Sequence, residues 1–178
     1  MTEETRPHPA PAVHERTYRW TDPAPTAPLA GRMPGLEMLQ AIGKGTLPAP
    51  PIMDTLGISA VDAEQGRVVF ALTPAEWHYN PLGTVHGGVL ATLLDTATGC
   101  AVHSTLPAGI GYTSMDLSTR FLRPVTLDSG PLRCEGTVIS QGRRAVVAEA
   151  RVEDGRGRLV AHATSTCLLL PLDEAPAG

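Results

Sequence analysis

A long run of apolar and small residues predicts one helix over about residues 86–105. The run follows two adjacent glycines, Gly87 and Gly88, and ends before Pro107. Because nearly every side of this helix is apolar, we expect it to lie in the protein interior and to bury Asp95 with it. An ionised carboxylate is costly to bury without partners. This aspartate is therefore expected either to cap a neighbouring loop or to be kept for chemistry.

Stretches of alternating or β-branched apolar residues on either side of the helix predict six strands separated by turn residues. They are Leu56–Val61, Arg67–Leu72, Gly111–Phe121, Leu132–Ser140, Ala145–Glu153 and Arg158–Leu170. Two strands, one long helix and four more strands indicate an α+β fold. Its antiparallel sheet is expected to curl around the helix and cover it.

The N-terminal part of the chain differs from the rest in composition. Ten of the 17 prolines precede residue 52, which is incompatible with a regular sheet there. We expect a proline-rich arm over residues 1–50, disordered up to about residue 16 and helical at 34–43. The folded domain is predicted to span 51–172, and the tail 173–178 to be disordered.

Composition excludes several kinds of partner. The formal net charge is −4, and no cluster of basic residues occurs beyond Arg143 and Arg144, so neither nucleic acid nor a membrane surface is expected as a partner. No segment reaches the length of about 18 apolar residues that spans a membrane, and we expect a cytoplasmic protein. Cys100, Cys134 and Cys167 are widely spaced in apolar sequence, which indicates reduced thiols rather than disulfides or a metal site.

One spaced motif links the helix to a known family. It consists of Asn80, Gly83, the run His86-Gly87-Gly88, the pair Leu94-Asp95, then Ser114 and the run Phe121-Leu122-Arg123-Pro124. From about residue 54 to 170 the chain resembles the hotdog-fold acyl-CoA thioesterases, particularly those of phenylacetic acid catabolism. The resemblance implies hydrolysis of an acyl-CoA to coenzyme A and a free acid, with no cofactor. It also implies dimers with shared sites, commonly paired into homotetramers.

The resemblance assigns roles to four residues. Gly87 would offer its backbone N–H to the thioester carbonyl, and Asp95 would act as general base or nucleophile. Asn80 would orient the carbonyl or the acid, and Ser114 would position water. These residue types suit the reaction, because an oxyanion needs a donor, water needs activation, and a thiolate leaves with little acid help.

Helix geometry separates the two central groups of this site. Gly87 and Asp95 are eight positions apart, which corresponds to about 12 Å of helical rise. The aspartate side chain leans back toward the helix start by only a few ångströms. We therefore expect Gly87 of one subunit to face Asp95 of another, so that the site requires a dimer.

Several neighbouring residues admit two interpretations. His86 could be a base, or its imidazole could bond a backbone group near the turn. Asp116 is a rival carboxylate or a strand residue paired at the sheet rim. Alternation places Ser114 on the same face as Tyr112, but Thr113 would supply the hydroxyl if the register differed by one.

Further candidates concern substrate binding. His86, Gly88 and Thr113 lie beside the motif, while Arg123, Arg143 and Arg144 could bind the phosphates of coenzyme A or could simply be solvated. An acyl tunnel could be lined by Met53, Trp77, Tyr79 and Leu82, which could equally be core residues.

Two other functions stay open at this point. A hotdog dehydratase or hydratase of acyl thioesters would use a histidine near the acid, for which His86 is the candidate. A non-catalytic acyl-CoA-binding regulatory protein would keep the fold without the chemistry, against which the pair Gly87 and Asp95 argues. The signatures of serine hydrolases, nucleotide-binding loops and zinc helices do not occur in the sequence. The sequence does not specify the acyl group.

Overall fold

The computed structural model describes residues 12–172. The disorder predicted for the first residues falls largely outside this range, as does the whole predicted tail 173–178. Residues 12–16 have no regular secondary structure, and Arg16 donates a hydrogen bond to the carbonyl of Thr55 at 2.9 Å. The guanidinium of Arg16 also lies 4.3 Å from the ring centre of Trp77, which fastens this end of the arm to the domain.

Three helices precede or interrupt the sheet: α1 (Gly35–Gly43), α2 (Pro51–Leu56) and α3 (Gly87–His103). Helix α1 occupies the stretch in which a helix was expected. Helix α2 was not predicted, and a strand beginning at Leu56 is wrong. Pro51 starts the short helix, and Gly57 ends it in the left-handed region at φ +70° with its N–H bonded to the carbonyl of Met53. Six residues are too few for a helical period to be recognised in the sequence.

Seven strands form one sheet. They are β1 (Ile58–Glu64), β2 (Arg67–Leu72), β3 (Ile110–Ser114), β4 (Ser118–Phe121), β5 (Leu132–Gln141), β6 (Ala145–Glu153) and β7 (Leu159–Pro171). A single strand over Gly111–Phe121 is thus wrong, because the chain breaks after Ser114. There the carboxylate of Asp116 accepts the N–H of Thr166 at 3.1 Å, in place of a backbone carbonyl. This side-chain bond separates β3 from β4.

All strand pairs are antiparallel, in the order β1-β2-β5-β6-β7-β3, and β4 also pairs with β7. The registers place Ser114 opposite Cys167 and Phe121 opposite Ala161. Among the described residues no strand pairs with the outer edge of β3. The α+β hotdog architecture is therefore confirmed, with seven strands rather than six.

Helix α3 packs across the sheet so closely that one glycine is required beneath it. A Cβ at Gly136 of β5 would lie 2.2 Å from the carbonyl oxygen of Ala97. The sheet-facing side of the helix is fully buried, as shown by Leu93, Leu94 and Ala101. The core thus lies between α3 and the sheet, and it fixes the position of the helix relative to β3.

The opposite side of α3 is open in the single chain, and the expected burial of Asp95 is wrong. The side chain of Asp95 is exposed, and its neighbours on that side are small: Gly88, Ala91 and Thr92. Small and apolar residues all round the helix were interpreted as a sign of complete burial. The sheet of one chain covers only one face, which leaves this second face without a cover.

Candidate active site

The start of α3 has one free backbone donor. His86 is the N-cap residue, and its imidazole Nδ1 accepts the N–H of Gly88 at 2.8 Å. Its carbonyl accepts the N–H of Val89 at 2.9 Å. The N–H of Gly87 bonds to no other residue of the described chain. The positive end of the helix dipole therefore lies at the unpaired N–H of Gly87. Such an arrangement favours the binding of an oxyanion.

The same contacts bear on two of the predicted binding residues. The N–H of Gly88 is occupied by His86, so Gly88 has no free donor for a ligand. The imidazole of His86 bonds a backbone group near the turn, which is the structural interpretation considered for it. Its other ring nitrogen has no recorded partner among the described residues.

A groove of about 290 Å³ lies beside Gly87. Its lining includes Asn80, Leu90, Phe121 and Arg123. The ring of Phe121 approaches so closely that a Cβ built at Gly87 would lie 3.2 Å from it. Phe121 therefore forms one wall at the candidate donor, and the absence of a side chain at Gly87 leaves room beside its N–H.

Asn80 organises the turn that leads into this groove. Its side-chain oxygen accepts the N–H of Leu82 at 2.9 Å and that of Thr84 at 3.3 Å, and its amide nitrogen donates to the hydroxyl of Thr84 at 3.0 Å. One amide proton remains for a ligand. Asn80 thus lies with Gly87, and no hydrogen bond joins it to Asp95.

The carboxylate of Asp95 has one side-chain partner in the described chain. Ser114, the last residue of β3, donates its hydroxyl to Oδ1 of Asp95 at 3.1 Å. Both side chains are exposed. Tyr112 points the same way, because its hydroxyl would lie 2.9 Å from a Cβ at Gly99, one helical turn beyond Asp95. The predicted alternation of β3 is therefore correct, and Ser114 rather than Thr113 meets the acid.

Two alternatives to this pair are positioned differently. Thr113 is exposed and lies on the other face of β3. Asp116 uses Oδ1 to accept the N–H of Thr166, and its carbonyl accepts the hydroxyl of Ser165 at 2.7 Å. The carboxylate of Asp116 thus bonds the backbone at the rim of the sheet, in agreement with the structural interpretation considered for it.

Gly87 and Asp95 belong to the same helix but to different surroundings. The groove at Gly87 is lined by residues of the turn before α3 and of the loop after β4, whereas Asp95 faces the end of β3. They lie eight positions apart on one regular α-helix. One chain therefore holds the candidate oxyanion donor and the candidate acid at two separate places.

The three candidate arginines do not lie together. Arg123 lines the groove at Gly87 and donates a hydrogen bond to the carbonyl of Leu159. Arg143 and Arg144 lie in the turn between β5 and β6, where they line a different groove with Pro107. Within one chain, only Arg123 is near the oxyanion donor.

The four residues considered for an acyl tunnel also separate. Trp77 is exposed beneath Arg16, and Leu82 is 86% exposed. The hydroxyl of Tyr79 accepts the N–H of Leu127 at 2.8 Å. Met53 alone lines an apolar cavity, which lies between α1, α2, β1 and α3.

Burial near Asp95 changes the ionisation of its neighbours. The pKa of the Cys100 thiol is raised to about 12, first by burial and then by the nearby Asp95 carboxylate. Burial and the same carboxylate hold the pKa of Tyr112 well above its usual value. Both groups are therefore protonated at neutral pH, and neither supplies a nucleophilic anion.

Phe121 was not singled out by the sequence analysis, although it stands at the oxyanion donor. The signal was present, because Phe121 begins the Phe-Leu-Arg-Pro run of the family motif. Its contact with Gly87 depends on the turn of the chain after β4, which residue pattern alone does not specify.

Two further surveys cover the described part of the chain. Within residues 12–172, no three histidine, cysteine or acidic side chains are grouped so that they could hold a metal ion. None of the helices in that range has both the length and the apolar character needed to cross a membrane.

Comparison with known proteins gives the following similarities. The family model described as "Thioesterase superfamily" matches residues 82–161, which contain Gly87, Asp95, Ser114 and Phe121. A protein of Halobacterium salinarum described as a candidate esterase is 36% identical over 106 residues, covering 57% of this chain and 68% of that protein.

Two more relatives extend the comparison. Acyl-coenzyme A thioesterase 13 of Homo sapiens is 28% identical over 110 residues, covering 61% of this chain and 77% of that enzyme. The solved structure of a phenylacetic acid degradation-related protein from Ralstonia eutropha superposes with a TM-score of 0.67 at 30% identity. It covers 73% of this chain and 98% of the other.

Proposed function

The chain belongs to the thioesterase superfamily and is a thioester hydrolase, and we propose that its substrate is an acyl-coenzyme A. The similarity to the human acyl-coenzyme A thioesterase supports this substrate class. The observation that carries the proposal is the Asp95–Ser114 pair at 3.1 Å on the open face of the helix that also begins with the free donor of Gly87.

In the proposed reaction the thioester oxygen accepts the N–H of Gly87. Charge that develops on this oxygen is stabilised by the donor and by the positive end of the α3 dipole. Phe121 forms the apolar wall beside it and limits the access of water to the oxyanion. Asn80 holds the turn that orients this donor.

Asp95 supplies the second half of the chemistry, as general base or as nucleophile. As a base, it takes a proton from water while the water oxygen bonds to the thioester carbon; the carbon–sulfur bond then breaks and the thiolate accepts the proton. As a nucleophile, its oxygen bonds to the thioester carbon and the carbon–sulfur bond breaks, which gives an anhydride and the thiolate. Water then opens the anhydride, restoring Asp95 and releasing the free acid, and the thiolate accepts the proton. In either case, the hydroxyl of Ser114 holds Oδ1 of Asp95, and Oδ2 is the oxygen that we assign to the reaction.

The complete site is proposed to form between two copies of the chain. About 12 Å of helical rise separates Gly87 from Asp95 in one copy, too far for one carbonyl carbon to contact both. The open face of α3 consists of small residues, and the outer edge of β3 has no partner strand among the described residues. A second copy would cover both surfaces and place its Gly87 opposite Asp95. Two such dimers would form the tetramer implied by the family.

The experiment that tests the activity is a thiol-release assay with acetyl-, octanoyl- and phenylacetyl-CoA. Release of one thiol for each acid formed, without added metal or cofactor, is the expected result. Thioesters of other thiols are compared in the same assay. If none of the acyl-CoAs released thiol while another thioester was hydrolysed, the proposed substrate class would be contradicted.

A further inference from the structure

A cavity of about 340 Å³ borders α3 and shares no lining residue with the groove at Gly87. Most of its wall is apolar and comes from four elements. The lining includes Leu39 and Ile42 of α1, Met53 of α2, Ala60 and Ala63 of β1, and Phe70 of β2. Small-molecule sites have this volume range and this kind of lining.

The cavity reaches α3 beside the candidate acid. Thr96 and Cys100 of α3 are part of its lining, one and five residues after Asp95. On a helix with 3.6 residues per turn, Thr96 lies about a quarter of a turn around from Asp95. The carboxylate is near enough to Cys100 to contribute to the raised pKa of that thiol. The wall of the cavity thus includes the residue that directly follows Asp95 on the helix.

The charged groups of the cavity are confined to its mouth. Lys44 and Asp62 are the charged residues among those that line it, and both are exposed. Deeper residues such as Met53, 6% exposed, and Phe70, 3% exposed, belong to the hydrophobic core. An uncharged, apolar occupant with one end in solvent fits this distribution, because burying a charged group here would leave it unpaired.

Much of the wall is supplied by a part of the chain that precedes the family match. Residues of α1 and α2 lie before residue 57, whereas the match covers 82–161. We propose that this cavity receives the apolar tail of the acyl group, and that the N-terminal helices α1 and α2 thereby set which acyl chains are accepted. The inference rests on the proposed function, because it takes the carbonyl to lie at Asp95.

The test uses the substitution Ala63→Leu, which fills the cavity from β1, and Ala60→Leu as a second variant. Ala71→Leu is the matched control, because Ala71 is a half-buried alanine of the neighbouring strand β2 that does not line the cavity. Binding of S-octyl-CoA and S-ethyl-CoA is measured by calorimetry. These thioethers lack the thioester carbonyl and cannot be hydrolysed, so binding is read independently of turnover.

We expect Ala63→Leu to weaken the binding of S-octyl-CoA at least 10-fold relative to the binding of S-ethyl-CoA. Displacing two methylenes from an apolar pocket has an effect of about that size. The ratio of kcat/KM for octanoyl-CoA over acetyl-CoA should fall equally. Ala71→Leu should leave both ratios within 2-fold. The inference would be overturned if the binding ratio and the kcat/KM ratio were the same in Ala63→Leu and Ala60→Leu as in Ala71→Leu. Melting temperatures show whether each variant is folded. The proposed function would still stand if the wild type released thiol, and would fail separately if it did not.

Discussion

Ser114 at the end of β3 donates its hydroxyl to Oδ1 of Asp95 on α3, at 3.1 Å. This bond joins the edge of the sheet to the face of α3 that the sheet leaves open. The buried packing of α3 on Gly136 sets the height of the helix above β3, and thus the distance between the two side chains. The packing of α3 on Gly136 therefore helps to position the Ser114–Asp95 hydrogen bond.

Replacing Asp95 by Asn should lower kcat at least about 100-fold, because loss of a positioned base or nucleophile has an effect of that size. The thiol-release assay measures it. Asp116→Asn is the matched control: its carboxylate accepts the N–H of Thr166, and kcat should stay within a few-fold of wild type. If Asp116→Asn lowered kcat more than Asp95→Asn did, the chemistry would be assigned to Asp116.

Replacing Ser114 by Ala should lower kcat about 10-fold, the effect expected for one hydrogen bond that orients a charged group. Thr113→Ala, on the other face of β3, should change kcat less than 2-fold. The two variants differ by one position in the strand, so the comparison tests the register directly. Equal losses would mean that the Ser114 hydroxyl does not act through Asp95.

Replacing Gly136 by Ala should destabilise the protein by about 3 kcal/mol or more, because the added Cβ would lie 2.2 Å from the carbonyl oxygen of Ala97. Urea unfolding measures the change. Gly43→Ala is the control, since its Cβ would meet only Ala60 at 3.9 Å. If both substitutions had equal effects, the close approach of α3 to β5 would be wrong.

Stability should fall as the pH decreases from 7 to 5. Burial lowers the pKa of His78, whose Nδ1 accepts the N–H of Ala75 and whose Nε2 donates to the carbonyl of Leu56. The unfolded chain, with an ordinary histidine pKa of about 6.5, binds the proton first. Stability is therefore full above that pKa and is lost as the pH falls toward the lower folded pKa.

His78→Asn should make the free energy of unfolding less dependent on pH between 7 and 5. Some dependence should remain, because burial also lowers the pKa of His103. His14→Asn is the control, since His14 is exposed in a pair with Glu76. An unchanged pH dependence in His78→Asn would show that this buried ring does not govern acid stability.

The sequence predicted the main helix and most strands, because these follow from local patterns, whereas the candidate roles of Asp95 and Ser114 came from the family resemblance. A long apolar run between Gly88 and Pro107 marks α3, and the two-residue period marks β6, which has the predicted bounds Ala145–Glu153. Alternation in β3 placed Ser114 on the same face as Tyr112 but left Thr113 open, and the contact with Asp95 resolves the register. The predictions of the helix and the strands each depend on neighbours within a few residues.

The exposure of Asp95 could not be predicted in the same way. Hydrophobicity around a helix indicates how much of it is covered, but not whether its own chain supplies the cover. Likewise, the amphipathic pattern of α1 predicts a helix with an inner face, yet the cavity beneath it depends on packing against β1 and α3. The contact between Gly87 and Phe121 joins residues 34 positions apart, through a turn that no local pattern describes.

The most direct test of the shared site mixes two inactive variants, Gly87→Val and Asp95→Asn. In a mixed dimer, one of the two sites would receive Gly87 from one chain and Asp95 from the other, both intact. Equal amounts that re-associate at random should recover roughly a quarter of wild-type activity, since about half the dimers are mixed. Native mass spectrometry reports whether subunits have exchanged. Recovery of activity on exchange is the predicted result; complete exchange with no recovery would place the whole site within one chain and contradict the account.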